Sequence, residues 1–277
     1  MELEYFFSDP NYHSVNTERP FVYKNEQMQL CYHIKNEVVL CPFKSSFCFI
    51  EGILNSSSFD HLLETLKIKA TVIEWILPPL FYPKSQEQFN FLIKKGFKIA
   101  KVEVTQYLDL TKDFTRSLHY SKQKKLKKLI DSAIVTKVLE KDHLDACYEM
   151  IAQNRSLKKY PLTMQKMDLK RLFDYFPDTF LLIGTYIKNE LVSCSVTVRV
   201  SKTILYQFYW AHNALYDDIC PLLYHNYWLS CEAKKWGITH IDFGVSTLGG
   251  TINRGLFRFK KQMGANASKK YYLSYNL

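Results

Sequence analysis

The sequence predicts an α/β (α+β) protein of two modules in tandem, each a mixed, mainly antiparallel sheet flanked by helices. Three observations predict it. The 277-residue chain is long enough for about two domains, each with its own core. Its composition is 47% hydrophobic, 15% aromatic and 23% charged, an ordinary globular mix rich in rings that suit sheet surfaces. The same succession of elements is also read twice, ββ…αβαββ along the first half and ααβββαβαβ along the second. The modules are expected at residues 1–111 and 112–277, the second opening with a basic helix.

In the first half, Gln27 to Ile34 and Val38 to Phe43 flank the turn-forming Lys35-Asn36-Glu37 and predict a hairpin. A helix is expected from Phe59 to Lys69, capped by Ser58, with Phe59, Leu62, Leu63 and Leu66 on one face. A buried strand follows at Thr71 to Ile76 and stops at Pro78-Pro79. Ser85 and Gln88 have the spacing of a capping box, and Gly96 ends the helix they open. Two strands, Phe97 to Val104 and Gln106 to Leu110, complete this half.

The second half begins with helices at Lys141 to Arg155 and Met164 to Phe176. Thr179 to Ile187, Leu191 to Val200 and Thr203 to Trp210 are joined by tight connections, the pattern of an antiparallel meander. Pro221 starts a helix that runs to Trp236, with Gly237 after it. A buried strand at Ile238 to Phe243, a helix near Ile252 to Gln262 and a strand at Lys270 to Tyr275 finish the chain.

The start, Met1-Glu2-Leu3-Glu4-Tyr5, lacks the basic-then-apolar run of a secretory signal, and no apolar window is long enough to span a membrane. Cys31, Cys41, Cys48, Cys147, Cys194, Cys220 and Cys231 are odd in number and form no CxxC, so reduced thiols and a cytoplasmic location are expected. The formal net charge of +10 is concentrated in two segments, Lys112 to Lys128 and Arg254 to Lys270. No HExxH, paired Cys/His cluster or GxxxxGK[ST] occurs, and the second glycine of Gly244-Val245-Ser246-Thr247-Leu248-Gly249 stands one place too far on for a nucleophile elbow. No metal or cofactor is demanded.

The order of the second half, with its local residues, resembles the GNAT acetyltransferase fold and, as paired modules, the FemABX peptidyltransferases and the FemAB-like (BioF2-like) acetyltransferase domain. The residues that carry the resemblance are the basic Lys122-Gln123-Lys124-Lys125-Leu126-Lys127-Lys128-Leu129, Asn154-Arg155, Tyr206-Gln207-Phe208-Tyr209-Trp210, Lys235-Trp236-Gly237, Ile241-Asp242-Phe243-Gly244 and Phe257-Arg258-Phe259-Lys260-Lys261-Gln262-Met263-Gly264. DxG followed by FKxxxG is the most specific part. The resemblance covers residues 115 to 275 well; the first hundred match in element order and in Cys41-Pro42-Phe43. It implies an aminoacyl- or acyltransferase acting on an amine, such as a cell-envelope or polysaccharide precursor, with aminoacyl-tRNA or acyl-CoA as donor. The (Arg/Gln)xxGx(Gly/Ala) phosphate loop of acetyl-CoA enzymes is absent, as is the coiled-coil arm of some Fem enzymes. The alternatives are an acyl-CoA- or acyl-carrier-dependent N-acyltransferase and a non-catalytic phosphate- or RNA-binding module.

By the same resemblance Lys260 stands beside the donor and would stabilise the tetrahedral intermediate, with Phe259 packed against the donor; the plain alternative is a surface lysine in a basic helix. Asp242, at the carboxyl end of a strand, is placed to accept the amine's proton, although a turn-stabilising role before Gly244 is favoured. Arg155 and Tyr160 mark a loop that approaches the acceptor in the relatives, while the helix dipole gives Arg155 a simpler role. Trp210 and His212 can line the cleft, with packing as the default, and Ser246 and Arg254 complete the substrate-binding set. Leu126, Leu129, Ile130 and Ala133 at helical spacing define a packing face that leaves Lys122, Lys124, Lys125, Lys127 and Lys128 on the other for phosphate or nucleic acid.

Overall fold

A computed structural model describes residues 3–16 and 19–277; Met1 and Glu2, which open the acidic start, lie outside them. Two compact units divide the chain. The first comprises residues 1–105, 245–252 and 267–277, and the second 106–244 and 253–266. The division therefore differs from a cut at residue 111. Because the last strand pairs inside the first unit, the C-terminus counts with the N-terminal half.

The first unit starts with a 3-10 turn at Phe6–Ser8 and α1 (Pro10–Asn16), neither of which the sequence announced. The buried Glu51 carboxylate accepts the Glu4 N–H (2.7 Å) and the Tyr5 N–H (3.1 Å) and so holds this segment down. Strands β1 (Phe21–Lys24), β2 (Met28–Lys35), β3 (Val38–Cys41) and β4 (Glu51–Gly52) follow, then α2 (Ser56–Lys67), β5 (Val72–Ile76) and α3 (Ser85–Lys94). The expected hairpin forms, and its turn takes Asn36 and Glu37 to φ +50° and +60°. Two caps differ from expectation. Asn55, not Ser58, caps α2 and accepts the Ser58 N–H at 2.9 Å. No capping box opens α3, because Ser85 Oγ donates to the Pro78 carbonyl and Gln88 bonds both backbone groups of Ile50. Burying Gln88 against Ile50 satisfies a distant backbone pair, and that outweighs a local cap.

β6 (Lys98–Asp109) is one unbroken strand where two were expected, and it gives its residues from Gln106 onward to the second unit. There follow α4 (Phe114–Ser117), α5 (Tyr120–Ile130), β7 (Ile134–Leu139), α6 (Leu144–Leu157), α7 (Lys166–Tyr175), β8 (Phe180–Ile187), β9 (Glu190–Arg199) and β10 (Ile204–His212). Then come α8 (Pro221–Lys235), β11 (His240–Val245), the short pair β12 (Thr247–Leu248) and β13 (Thr251–Ile252), α9 (Arg254–Gln262) and β14 (Asn266–Asn276). Strand β7 went unforeseen; half its side chains, Val135, Lys137 and Val138 among them, are exposed, so it lacks a clean alternation.

Each unit has a mixed, mainly antiparallel sheet. In the first the order is β1-β2-β3-β5-β14, with β4 on β2 and only β3–β5 parallel. In the second, β11-β10-β9-β8-β7 is antiparallel except for β10–β11. Helix α2 joins the parallel strands of the first unit and α8 those of the second, as parallel neighbours require. The first core gathers Trp75, Phe59, Phe97, Leu62 and Leu66; the second gathers Leu205, Ile241, Phe243, Leu223, Leu229 and Met263. Among the described residues no helix is long and apolar enough to cross a membrane.

Candidate active site

The second unit contains one parallel strand pair. β10 and β11 pair from Ile204↔His240 to Tyr206↔Asp242. Just beyond, Gln207 opposes Thr197 and Tyr209 opposes Val196, which leaves Phe208 bulged out of the β9 ladder. Ligands of open α/β sheets bind outside such strand ends. Here Trp210 of β10 stacks on Phe243 of β11 (5.1 Å between centroids) and meets Phe259 of α9 at 5.8 Å.

Asp242 is buried, and its Oδ1 accepts the Gly244 N–H at 2.7 Å. This is the turn-stabilising role, at a glycine with φ +71°. A Cβ on Gly244 would stand 3.4 Å from the Tyr206 ring, so a side chain there would combine strain with tight packing. The Gly244 carbonyl in turn accepts a hydrogen bond from Lys260 Nζ at 2.9 Å. Lys260 is therefore no surface lysine; it is 1% exposed. Burial pulls its ammonium down to about 7, partly offset by the Asp242 carboxylate.

Local sequence explains how α9 delivers this side chain. Asn253 caps the helix by accepting the Leu256 N–H (3.0 Å), and its amide donates to the Tyr160 hydroxyl (2.6 Å). Gln106 Nε2 donates to the Phe257 carbonyl at 3.2 Å, and Gly264 ends the helix at φ +85°. Phe259 is half-buried, while Arg254 is exposed on the first turn. Asn253, Gln106 and Gly244 were not among the expected site residues. Asn253 carried a signal, an Asx side chain just before a helical run, and Gly244 stood in the DxG segment, whereas Gln106 carried none.

The basic segment divides in two. Leu126 and Leu129 are buried as expected, but Ile130 and Ala133 are exposed, because the helix ends at Ile130 and the face turns away. Lys124, Lys127 and Lys128 point to solvent, whereas Lys122 and Lys125 are half-buried. Lys122 Nζ sits 3.3 Å from Cys220 Sγ and 5.5 Å from the Phe259 ring centroid, and Lys125 Nζ donates to the Asp218 carbonyl at 2.6 Å. Both therefore converge on the start of α8, where Cys220 (φ +59°) gives no side-chain cap and Pro221 takes the first helical position.

The remaining expected residues lie around these strand ends or apart from them. Arg155 donates to the Pro161 carbonyl (2.9 Å) and stacks over Tyr209 (4.6 Å), whose hydroxyl bonds Thr163 (2.7 Å). His212 Nε2 bonds Asp217 (2.5 Å), and its carbonyl accepts the Asn154 amide (3.0 Å). Ser246 belongs to the first unit, where its buried N–H donates to the Val104 carbonyl. Among the described residues no group of three or more His, Cys, Asp or Glu is disposed to hold a metal ion.

No family model matches the sequence, and neither does any curated protein. Solved structures do match. FemX aligns over 100% of this chain and 92% of its own, with 14% identity and a TM-score of 0.75. The C-terminal domain of a putative lysylphosphatidylglycerol synthetase from Agrobacterium fabrum aligns over 93% and 84%, with 12% identity and a TM-score of 0.60. A tandem GNAT protein from the clavulanic acid biosynthesis pathway aligns over 92% and 81%, with 9% identity and a TM-score of 0.52. The chain thus has the FemX-like, tandem GNAT-type fold that its DxG and FKxxxG segments resemble.

Proposed function

We propose that the protein transfers an acyl or aminoacyl group from a phosphate-bearing donor to an amine. The observation that carries this reading is Lys260, a buried amine held by Gly244 at about neutral titration, beside Asp242 and at the mouth of the parallel strand pair. Acyl transfer to an amine develops negative charge on the donor's carbonyl oxygen, and a preset N–H donor in a water-poor site stabilises that charge. Lys260 in its ammonium form supplies the donor. The amine nitrogen forms the new C–N bond, the ester or thioester bond to the carrier breaks, and the amine's proton leaves with the carrier's oxygen or sulfur. Asp242 keeps the Lys260 ammonium populated near neutral pH and fixes the Gly244 turn that orients it.

The donor's phosphates would be read by Lys122, Lys125 and the first turn of α8, with Trp210 and Phe259 against its apolar part. Both aminoacyl-tRNA and acyl-CoA fit that description. The names of the neighbours point the same two ways, since FemX and a lysylphosphatidylglycerol synthetase stand beside GNAT proteins. Arg155, Tyr160 and His212 border the side from which an amine of a cell-envelope or polysaccharide precursor would enter, and Arg254 remains available to its anionic groups.

Equilibrium binding to charged tRNA, uncharged tRNA and acetyl-CoA at two salt concentrations tests the donor. Preference for charged over uncharged tRNA supports aminoacyl transfer, and saturable acetyl-CoA binding supports the acyl-CoA form. Equal, steeply salt-dependent tRNA binding without acetyl-CoA binding reduces the basic segment to general electrostatics and sinks the transfer reading.

A further inference from the structure

Where β6 ends, a cavity of about 250 Å³ opens in the second unit between the turn that precedes α4 and the start of β14. None of Asp242, Trp210 or Lys260 lines it. Its floor is apolar and buried, made of Leu108, Leu110 and Phe114. On one wall Gly264 faces Ser117, and a Cβ at Gly264 would stand 2.8 Å from Ser117 Cβ, so the cavity keeps its width only with glycine there.

The rim carries both signs of charge. Asp109 Oδ1 is taken by the Thr111 N–H (3.0 Å) and hydroxyl (2.6 Å), which presets the carboxylate. Burial would raise its carboxyl, but the bonds from Thr111 and the nearby Lys112 outweigh that and hold it below the usual range. Oδ2 lies 3.4 Å from Lys112 Nζ, longer than a well-formed N–H···O bond, and the lysine side chain is 63% exposed. The Lys112 backbone is fixed from outside, because its carbonyl accepts Lys234 Nζ at 3.1 Å. A carboxylate and an ammonium thus stand side by side at the mouth of an apolar floor, each with bonding capacity left, beside the exposed Asn266 amide.

We propose that this cavity binds a small α-amino acid with a branched apolar side chain. The ligand's ammonium bonds Asp109, its carboxylate bonds Lys112 and Asn266, and its side chain rests on Leu108, Leu110 and Phe114. The size agrees. At about 30 Å³ per water the cavity has room for roughly eight waters, which is ample for a ligand of about eight heavy atoms. The proposal stands independently of the acyl-transfer reading, since it shares no residue with the Lys260 site.

Calorimetric titration with L-valine, L-valinamide and 3-methylbutanoate tests it, because the last two each lack one of valine's charges. Valine should bind saturably and at least tenfold more tightly than either. Lys112→Gln should weaken valine about tenfold and leave valinamide unchanged. Asn266→Trp, at an exposed position, should plug the cavity and abolish binding with the unfolding temperature unaltered. Absence of valine binding to the wild-type protein, equal affinity for all three compounds, or valine binding that survives Asn266→Trp would each overturn the proposal.

Discussion

The two units use one arrangement to opposite ends. In each, two parallel strands are joined by a helix and followed by another: β3, α2, β5, α3 in the first, and β10, α8, β11, α9 in the second. The seventh residue of α3 is Phe91, which packs edge-on against Phe59 at 5.2 Å. The seventh residue of α9 is Lys260, held by Gly244. Past β5 the first unit closes its strand end with the fully buried Leu77, whose N–H donates to the Tyr271 carbonyl (3.0 Å), and with Trp75 and Phe97. On β11 and α9 the second unit keeps a carboxylate, a glycine and a lysine. A parallel strand end that the fold offers twice is packed with rings once and equipped with ionisable groups once, so on the proposed reading chemistry is expected from the second unit alone.

The largest test of this contrast removes a ring from each unit. Trp75→Ala should cost about 3–5 kcal/mol in urea unfolding, because a fully buried indole leaves a cavity behind. It should leave turnover per folded molecule unchanged. Trp210→Ala, at a half-buried position, should cost less stability and more turnover. Equal loss of turnover in both variants would break the comparison.

Next comes the lysine. Lys260→Met should lower kcat by 10²–10³-fold, about 2.7–4 kcal/mol of transition-state stabilisation, with donor affinity within a few-fold. Phe91→Leu should leave kcat unchanged. On the proposed reading the ammonium form does the work, so the rate should fall as pH rises through about 7. Lys260→Met should erase that limb in whatever activity remains, and a limb that survives the substitution assigns the titration to another group.

A smaller effect separates the units by acid. His225 is buried between Thr185 (3.0 Å) and Ser195 (2.9 Å), and burial pushes it down to about 3. His13 in the first unit is pushed down to about 4, again chiefly by burial. A base lowered in the folded state takes its proton only on unfolding. Stability is therefore complete above the ordinary histidine value of about 6.5 and falls below it by up to about 1.4 kcal/mol per pH unit for each group. The loss should end near pH 4 for His13 and continue towards 3 for His225. Denaturation curves of His225→Gln at pH 7, 6, 5 and 4 should show a shallower slope than wild type; an unchanged slope would mean that His225 is already protonated in the fold.

Much of the architecture was legible because it is written locally. The β2–β3 hairpin is set by two residues able to take positive φ, the meander by its tight turns, and α8 by Pro221 and Gly237. What was hidden depends on distant partners. Nothing near Gln88 says that it will bond Ile50, and Ser195 and Thr197 look like solvent-facing strand residues although they lie under His225. The basic run of α9 reads as surface, and only the position of Gly244 shows why one of its lysines is buried.

The mildest comparison concerns two asparagines. Asn55 caps α2 in the first unit and Asn253 caps α9 in the second, each accepting one first-turn N–H. Replacing either with Ala should cost about 1 kcal/mol of stability, since one amide loses its partner. Asn253 also donates to Tyr160, and its helix carries Lys260, so Asn253→Ala should lower kcat a few-fold beyond what its stability loss explains. Asn55→Ala should not. Tyr160→Phe separates the two duties, because Asn253 keeps its cap and loses only its hydroxyl partner. If Tyr160→Phe keeps both stability and rate, the cap alone positions Lys260; if it keeps stability and loses rate, the Tyr160 hydroxyl is part of the site.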